Sequence, residues 1–310
     1  MLILNVLAPV FLIIALGAWM QRTQFVSAAF LREANRVTYW LGLPALLFSQ
    51  LVSSLHQAAG TERLLGAMLL VTGAAGLVAY AVAALLRVPA GARGTFAQGA
   101  FRGNLAFVGL PIIFSLPDTP VAAGLGLHAA AVIVVAPIMV LYNVAGIVVL
   151  IVSRHAFGPA MVKPVLRQLA VTPPLLATLA GIGFAAAGWT LPVMLDQTFT
   201  ALGEMALPLG LLGVGGSLVN GGLQGAWRAP LASALVKTAG GALLGWLAAR
   251  GLGLGPAETR LVAILGAAPT AIISYTLAVE LKGDERLAAS TIAWSVPCSL
   301  VTLVVILALG

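Results

Sequence analysis

Apolar runs long enough to cross a lipid bilayer recur along nearly the whole chain. A bilayer core about 30 Å thick takes roughly 20 apolar residues per helix. Windows of that length predict ten membrane segments, numbered 1 to 10, at residues 2–20, 34–54, 63–86, 95–116, 125–152, 173–189, 193–217, 229–249, 259–281 and 287–309. Because 61% of the residues are hydrophobic and only 8% are charged, the sequence predicts an all-α polytopic membrane protein with no room for a soluble domain.

The basic residues lie singly near segment ends, which argues against a nucleic-acid partner despite the net charge of +7. The loops between segments 1–2, 3–4, 5–6, 7–8 and 9–10 carry ten Lys and Arg residues, and the opposite side carries three. The positive-inside rule therefore predicts that both termini lie outside the cytoplasm. We expect the protein in the cell inner (plasma) membrane. Segment 1 lacks the basic start of a signal peptide, so we expect a retained helix. The single cysteine, Cys298, cannot form an intrachain disulfide.

Prolines recur in the same order in the two halves of the chain, at offsets of 158 to 167 residues. The pairs are Pro9 and Pro174, Pro44 and Pro208, Pro89 and Pro256, Pro111 and Pro269, and Pro137 and Pro297. Each half holds five segments, an odd number, so the second half must enter the membrane from the opposite side. The sequence thus predicts two inverted five-helix repeats, at residues 1–155 and 165–310.

Segments 4 and 9 are the candidates for broken helices. Segment 4 reads "FRGNLAFVGLPII" with Gly109 and Pro111, and segment 9 reads "GAAPTAIISY" with Pro269 and Thr270. A proline inside a helix removes one backbone hydrogen bond. Freed backbone groups at membrane depth are tolerated only where they are buried in protein or line a wet cavity. The two prolines are therefore compatible with two kinked helices, but their matched positions in the two halves favour broken helices. If the two breaks cross, their free backbone groups form a small polar site.

The Arg-x-Asn-x-x-Phe-x-Gly-Leu-Pro run of segment 4 resembles the signature of the auxin efflux carrier family, the bacterial relatives of plant PIN proteins. "LGLPALLF" in segment 2, "LPLGLLGVGGSL" in segment 7 and "APTAIISYTLA" in segment 9 are also similar to that family. The resemblance covers residues 40–280. The long cytoplasmic loop of plant members is not found between segments 5 and 6.

The resemblance implies a fold shared with bile-acid symporters and sodium/proton antiporters. It implies ten helices, with helices 4 and 9 broken at prolines and crossing. Segments 1, 2, 6 and 7 would form a scaffold, and segments 3–5 and 8–10 a crossover domain. It also implies a carboxylate substrate, such as malonate or malate in bacterial members or an indole carboxylate in plant members.

Polar side chains within the predicted segments are the candidate functional groups, because such residues are rare in membranes and often functional. We expect Lys237, near the middle of segment 8, to neutralise helix ends or to contact the substrate. Glu204 is a candidate coupling or substrate-gating carboxylate, or an interfacial glutamate with a nearby arginine partner. Arg102 is a candidate anion contact or a headgroup contact, and Asn104 offers an amide that can donate to a carboxylate. Asn143 resembles a site asparagine of the family, although the residue alone would suggest a contact between helices.

Three residues that follow the expected break in segment 9, Thr270, Ser274 and Tyr275, are further candidates by proximity. We expect no enzymatic activity, cofactor or metal, because the sequence contains no nucleophile–base, zinc or phosphate-binding motif. The Gly99–Gly103 and Gly241–Gly245 pairs predict close helix packing within one chain, with a homodimer left open.

The sequence therefore predicts a secondary transporter of a small organic anion by alternating access, with protons or sodium as possible coupling ions. Two alternatives stay open. One is a cation-coupled symporter of a bulkier amphipathic anion, and the other is a membrane sensor that binds such a ligand without moving it. Ligand-dependent flux would separate a carrier from a sensor.

Overall fold

The computed structural model describes residues 2–54, 61–121, 125–154, 167, 170–171, 173–219 and 227–309. The helices of the first half are α1 Leu2–Arg22, α2 Ala28–Val37, α3 Leu43–Ser54, α4 Glu62–Leu85, α5 Ala90–Phe101, α6 Leu110–Phe114 and α7 Leu127–Val152. Those of the second half are α8 Pro173–Ala186, α9 Val193–Glu204, α10 Ala206–Val219, α11 Arg228–Leu235, α12 Gly241–Gly251, α13 Pro256–Ala267, α14 Ile273–Glu280 and α15 Glu285–Leu309. The expected boundary between the halves, residues 155–165, lies outside the described residues.

Three π-helical turns connect some of these helices. They are Thr38–Gly42 between α2 and α3, Leu105–Gly109 before α6, and Val236–Gly240 between α11 and α12. The chain is therefore helical over the described ranges, as its composition predicts. Four described stretches are long and apolar enough to span a membrane: Glu62–Leu85, Leu127–Val152, Arg228–Gly251 and Glu285–Ala308. The full count of ten segments stays a prediction.

The helices pack mainly within two groups. In one group, α1 and α2 pack on α10, and α3 packs on α8 and α9. In the other, α12 packs on α13 and α4, α5 packs on α4 and α7, and α11 packs on α15. Contacts between the groups are sparser, and they include α3 against α7 and α10 against α15. The first group holds segments 1, 2, 6 and 7, and the second holds segments 3–5 and 8–10.

Glycines allow helices of the second group to approach each other closely. A Cβ on Gly241 would overlap the backbone of Gly266, and a Cβ on Gly245 would come 3.0 Å from the Val262 carbonyl oxygen. The pair Gly241–Gly245 therefore allows α12 to pack in direct backbone contact with α13. Small residues allow such contact because dispersion between closely packed backbones drives helix association in membranes.

Candidate functional site

Segments 4 and 9 each contain a break, and the two breaks are joined by backbone hydrogen bonds. One break follows α5, and the other separates α13 from α14. The Asn104 N–H donates to the Pro269 carbonyl at 2.7 Å, and the Ala271 N–H donates to the Arg102 carbonyl at 2.9 Å. The two extended pieces form an antiparallel bridge. The backbone N–H and C=O groups that one break leaves without a helical partner are thus hydrogen-bonded to the other break. Backbone groups buried in an apolar environment need such partners.

The break in segment 4 lies at Arg102–Asn104 rather than at Pro111, where the sequence predicts it. The chain is helical again from Leu105 to Phe114 and runs through Pro111 without a second break. In the π-turn that precedes Pro111, the Leu110 N–H donates five residues back to Leu105. This wide turn shifts the hydrogen-bond register, so a residue without an N–H can follow. The side chain of Pro111 lies outside the described part of the structure.

Side chains satisfy carbonyl groups at the ends of the broken helices. The Thr270 hydroxyl donates to the Gly99 carbonyl in the last turn of α5 at 2.7 Å. The Lys237 ammonium donates to the Gly266 carbonyl in the last turn of α13 at 2.5 Å. The last carbonyls of a helix have no partner within it and carry partial negative charge. A hydroxyl therefore caps one broken helix, and a cation caps the other.

A cavity of about 40 Å³ lies beside the paired breaks. This is more than the roughly 15 Å³ that one water needs. The lining residues come from both helix groups: Thr38, Leu43, Leu46 and Ala206 from the first, and Arg102, Gly103, Asn104, Leu105, Met139, Tyr142, Asn143, Ala271, Ile272, Ile273 and Thr276 from the second. No carboxylate is among them. Three of the predicted residues, Arg102, Asn104 and Asn143, thus share one cavity.

Among the described residues that line this cavity, Arg102 is the only one with a charged side chain, and it is 2% exposed. Its Nη2 donates to the Asn143 side-chain oxygen, and its Nη1 has no hydrogen-bond partner in the described part of the chain. Gly146, one helical turn after Tyr142, makes room for this guanidinium. A Cβ there would come 2.9 Å from Arg102 Nη1 and 2.7 Å from Gln98 Oε1. The charge is therefore surrounded by neutral amides instead of a carboxylate.

Two more buried polar atoms, in residues that line the cavity, have no hydrogen-bond partner among the described residues. They are the Asn143 side-chain nitrogen and the Thr276 hydroxyl. Asn104 is also buried there, at 5% exposure. Together with Arg102 Nη1, these atoms are unpaired hydrogen-bonding groups of residues that line the cavity.

The other predicted residues are placed away from the cavity wall. Gly109 packs on Leu265, to which a Cβ would come within 2.9 Å. Ser274 and Tyr275 are buried in α14, and the Ser274 carbonyl accepts a hydrogen bond from the Gln98 amide at 2.9 Å. Glu204 is exposed at the end of α9 and does not line the cavity.

Several residues at the site are not among those that the sequence predicts. Gln98 and Gly146 fix the surroundings of the Arg102 guanidinium, and Tyr142 and Thr276 line the cavity. The Tyr142 hydroxyl also interacts with Thr72 and with the backbone of Gly103. Gln98 could have been identified by its polarity inside a predicted segment, because an uncharged amide at membrane depth needs a hydrogen-bond partner. For Gly146 only the contact in the folded chain reveals the role.

A family model described as membrane transport protein matches the chain twice, over residues 2–157 and 156–307. The chain belongs to the membrane transport protein family. The two matches divide this transport protein into two repeats, as the proline offsets predict. No curated protein matches the chain significantly. The family includes auxin efflux carriers, but the auxin efflux subtype stays a prediction.

Proposed function

We propose that this membrane transport protein is a secondary carrier of a small organic anion that bears a carboxylate. The observation that carries the proposal is the buried guanidinium of Arg102, a cavity-lining residue that has no carboxylate partner among the described residues. A buried charge without a counter-charge is strongly destabilising. A bound carboxylate would supply that counter-charge, and two parallel N–H···O bonds are the preferred geometry of an Arg–carboxylate pair.

The amides beside Arg102 support the same substrate class. Asn104 and Asn143 line the cavity, and their side-chain nitrogens can donate to a carboxylate without the cost of burying another cation. Apolar residues, among them Leu46, Met139 and Ile273, form the rest of the wall. Malonate, malate and an auxin-like indole carboxylate are therefore the first compounds to test.

Two observations support alternating access of the elevator type. The chain contains two repeats of a transport family, and the cavity lies between the two helix groups. Thr38 and Leu43 come from the group that holds segments 1, 2, 6 and 7, and Arg102 and Thr276 come from the group that holds segments 3–5 and 8–10. In the proposal the first group is a scaffold, and the second group moves the occupied site across the membrane as two inverted repeats predict.

The proposal places the carrier in the cell inner membrane with both termini outside the cytoplasm. A potential that is negative inside expels anions, so uptake needs a coupled cation and efflux does not. Protons and sodium are the coupling ions to test. Glu204 is exposed and apart from the cavity, so a coupling role would require it to act from outside the site. A homodimer is compatible with this arrangement.

Uptake into proteoliposomes tests the proposal. Labelled malonate, malate and an indole carboxylate are offered to vesicles with and without an imposed proton or sodium gradient, for the wild type and Asn104→Ala. Uptake of one acid that Asn104→Ala reduces supports the carrier. Binding without flux would favour the ligand sensor instead. Preference for a bulky amphipathic anion that moves only with a cation gradient would favour the symporter.

A further inference from the structure

Lys237 is a buried cation that the proposed anion site does not use. Its side chain is 2% exposed, and it does not line the cavity beside Arg102. It lies in the π-turn Val236–Gly240, one turn before the point where Gly241 touches the backbone of Gly266. The close packing of α12 on α13 therefore brings the ammonium to the carbonyl end of α13.

The ammonium contacts both helix breaks. Its Nζ donates to the Gly266 carbonyl at 2.5 Å. On the other side, a Cβ placed on Gly103 would come 2.9 Å from Cε and 3.2 Å from Nζ of Lys237. Gly103 is the middle residue of the break in segment 4. The cation thus lies between the two broken helices, and no ion pair of Lys237 occurs among the described residues.

The corresponding position in the first repeat is not charged. With an offset of 165 residues, as for Pro9 and Pro174, Lys237 corresponds to Thr72. Thr72 lies in the regular helix α4, and its hydroxyl donates to the Met68 carbonyl at 2.7 Å. The first repeat therefore has no cation at the position that corresponds to Lys237.

We infer that the Lys237 ammonium is a resident cation of the paired breaks, bound at the carbonyl end of α13 where a coupling ion would otherwise bind. In transporters with discontinuous helices, carbonyls at half-helix ends coordinate the coupling cations. A cation tethered by its side chain does not leave during a transport cycle. The site is therefore already filled and cannot take up sodium. The consequence for flux rests on the proposed function, whereas the cation site itself does not.

Truncation of the side chain tests the site directly. Lys237→Ala removes the atoms from Cγ to Nζ, which n-propylammonium replaces atom for atom. Lys237→Met keeps the side chain as far as Cε, removes the charged nitrogen and leaves no space for n-propylammonium. Lys282→Ala is the matched control, because Lys282 is exposed after α14. Thermal unfolding of each purified protein is measured with n-propylammonium chloride, and with tetramethylammonium chloride, which has no N–H donor.

We expect the unfolding midpoint of Lys237→Ala and Lys237→Met to fall by about 3 °C or more, the shift that loss of one hydrogen bond to a charged group gives in a chain of this size. n-Propylammonium should restore at least half of that loss in Lys237→Ala, with saturation. Tetramethylammonium should not. Wild type, Lys237→Met and Lys282→Ala should not respond to either salt. A Lys237→Met variant as stable as the wild type, or a Lys237→Ala variant that n-propylammonium does not stabilise, would overturn the inference.

A measurement of anion flux through the wild type is a second test of the inference and needs no variant. Replacing sodium by N-methylglucamine on both sides of the vesicle should leave the initial rate unchanged within twofold. Stimulation of tenfold or more by a sodium gradient would contradict a filled cation site. Absence of any anion flux would overturn the proposed function alone, because the n-propylammonium result does not depend on transport.

Discussion

Arg102 in the break of segment 4 and Asn143 in α7 are joined by a hydrogen bond from the guanidinium Nη2 to the amide oxygen. Both side chains are buried, and both line the cavity. The amide holds the cation in place without neutralising it. A positioned charge that still lacks its counter-ion is the arrangement that an anion site requires.

Asn143→Asp should abolish anion binding without unfolding the protein. The substitution keeps the shape of the side chain and places a carboxylate on Arg102, so the site would contain its own counter-ion. We expect the loss of saturable anion uptake and an unfolding midpoint no lower than that of the wild type.

Asn143→Gln serves as the comparison, because it retains the amide and changes only the length. It should retain more uptake than Asn143→Asp. Undiminished uptake by Asn143→Asp would show that Arg102 is not the anion contact.

Gly146→Ala should weaken anion binding by displacing the guanidinium. The added Cβ would come 2.9 Å from Arg102 Nη1 and 2.7 Å from Gln98 Oε1, which is closer than real Cβ contacts. The apparent KM for uptake should rise. Gly183→Ala in α8 is the control, since a Cβ there meets nothing within 4 Å. The prediction fails if both variants retain the wild-type KM.

Thr270→Val should destabilise the paired breaks. It removes the hydroxyl that donates to the Gly99 carbonyl and leaves that buried oxygen without its partner. An unsatisfied buried group costs about 1 to 3 kcal/mol. Thermal unfolding in detergent should therefore show a lower midpoint.

Thr302→Val is the control for that loss, because the Thr302 hydroxyl only donates to the Cys298 carbonyl four residues back in α15. It should change the midpoint much less than Thr270→Val. Equal shifts for the two variants would assign the loss to threonine removal in general.

The sequence predicts which residues form the site better than it predicts how they are arranged. Ten apolar runs and the proline offsets lead to a helical membrane protein with two repeats, and rarity inside apolar segments identifies Arg102, Asn104 and Lys237. The break at Arg102–Asn104 could not be located in this way. A proline marks a missing N–H, but the break occurs where the backbone finds partners in the other repeat, at Pro269 and Ala271.

The remaining differences have the same physical origin. Glu204 stands out in the sequence as a carboxylate in a predicted segment, yet its side chain is exposed, since polarity alone does not specify the face of a helix. Gly146 is one of 35 glycines, and only the approach of Gln98 and Arg102 distinguishes it. Long-range contacts decide both cases.

The most direct test of the central claim is the affinity of the carrier for its anion with Arg102 removed. Initial rates of uptake into proteoliposomes are measured against anion concentration for wild type, Arg102→Gln and Arg36→Gln, the last being an exposed arginine paired with Glu33 at 3.8 Å. We predict that Arg102→Gln weakens apparent affinity about 10- to 100-fold, the equivalent of one charged hydrogen bond, and that Arg36→Gln leaves it unchanged. Wild-type affinity in Arg102→Gln would contradict the account.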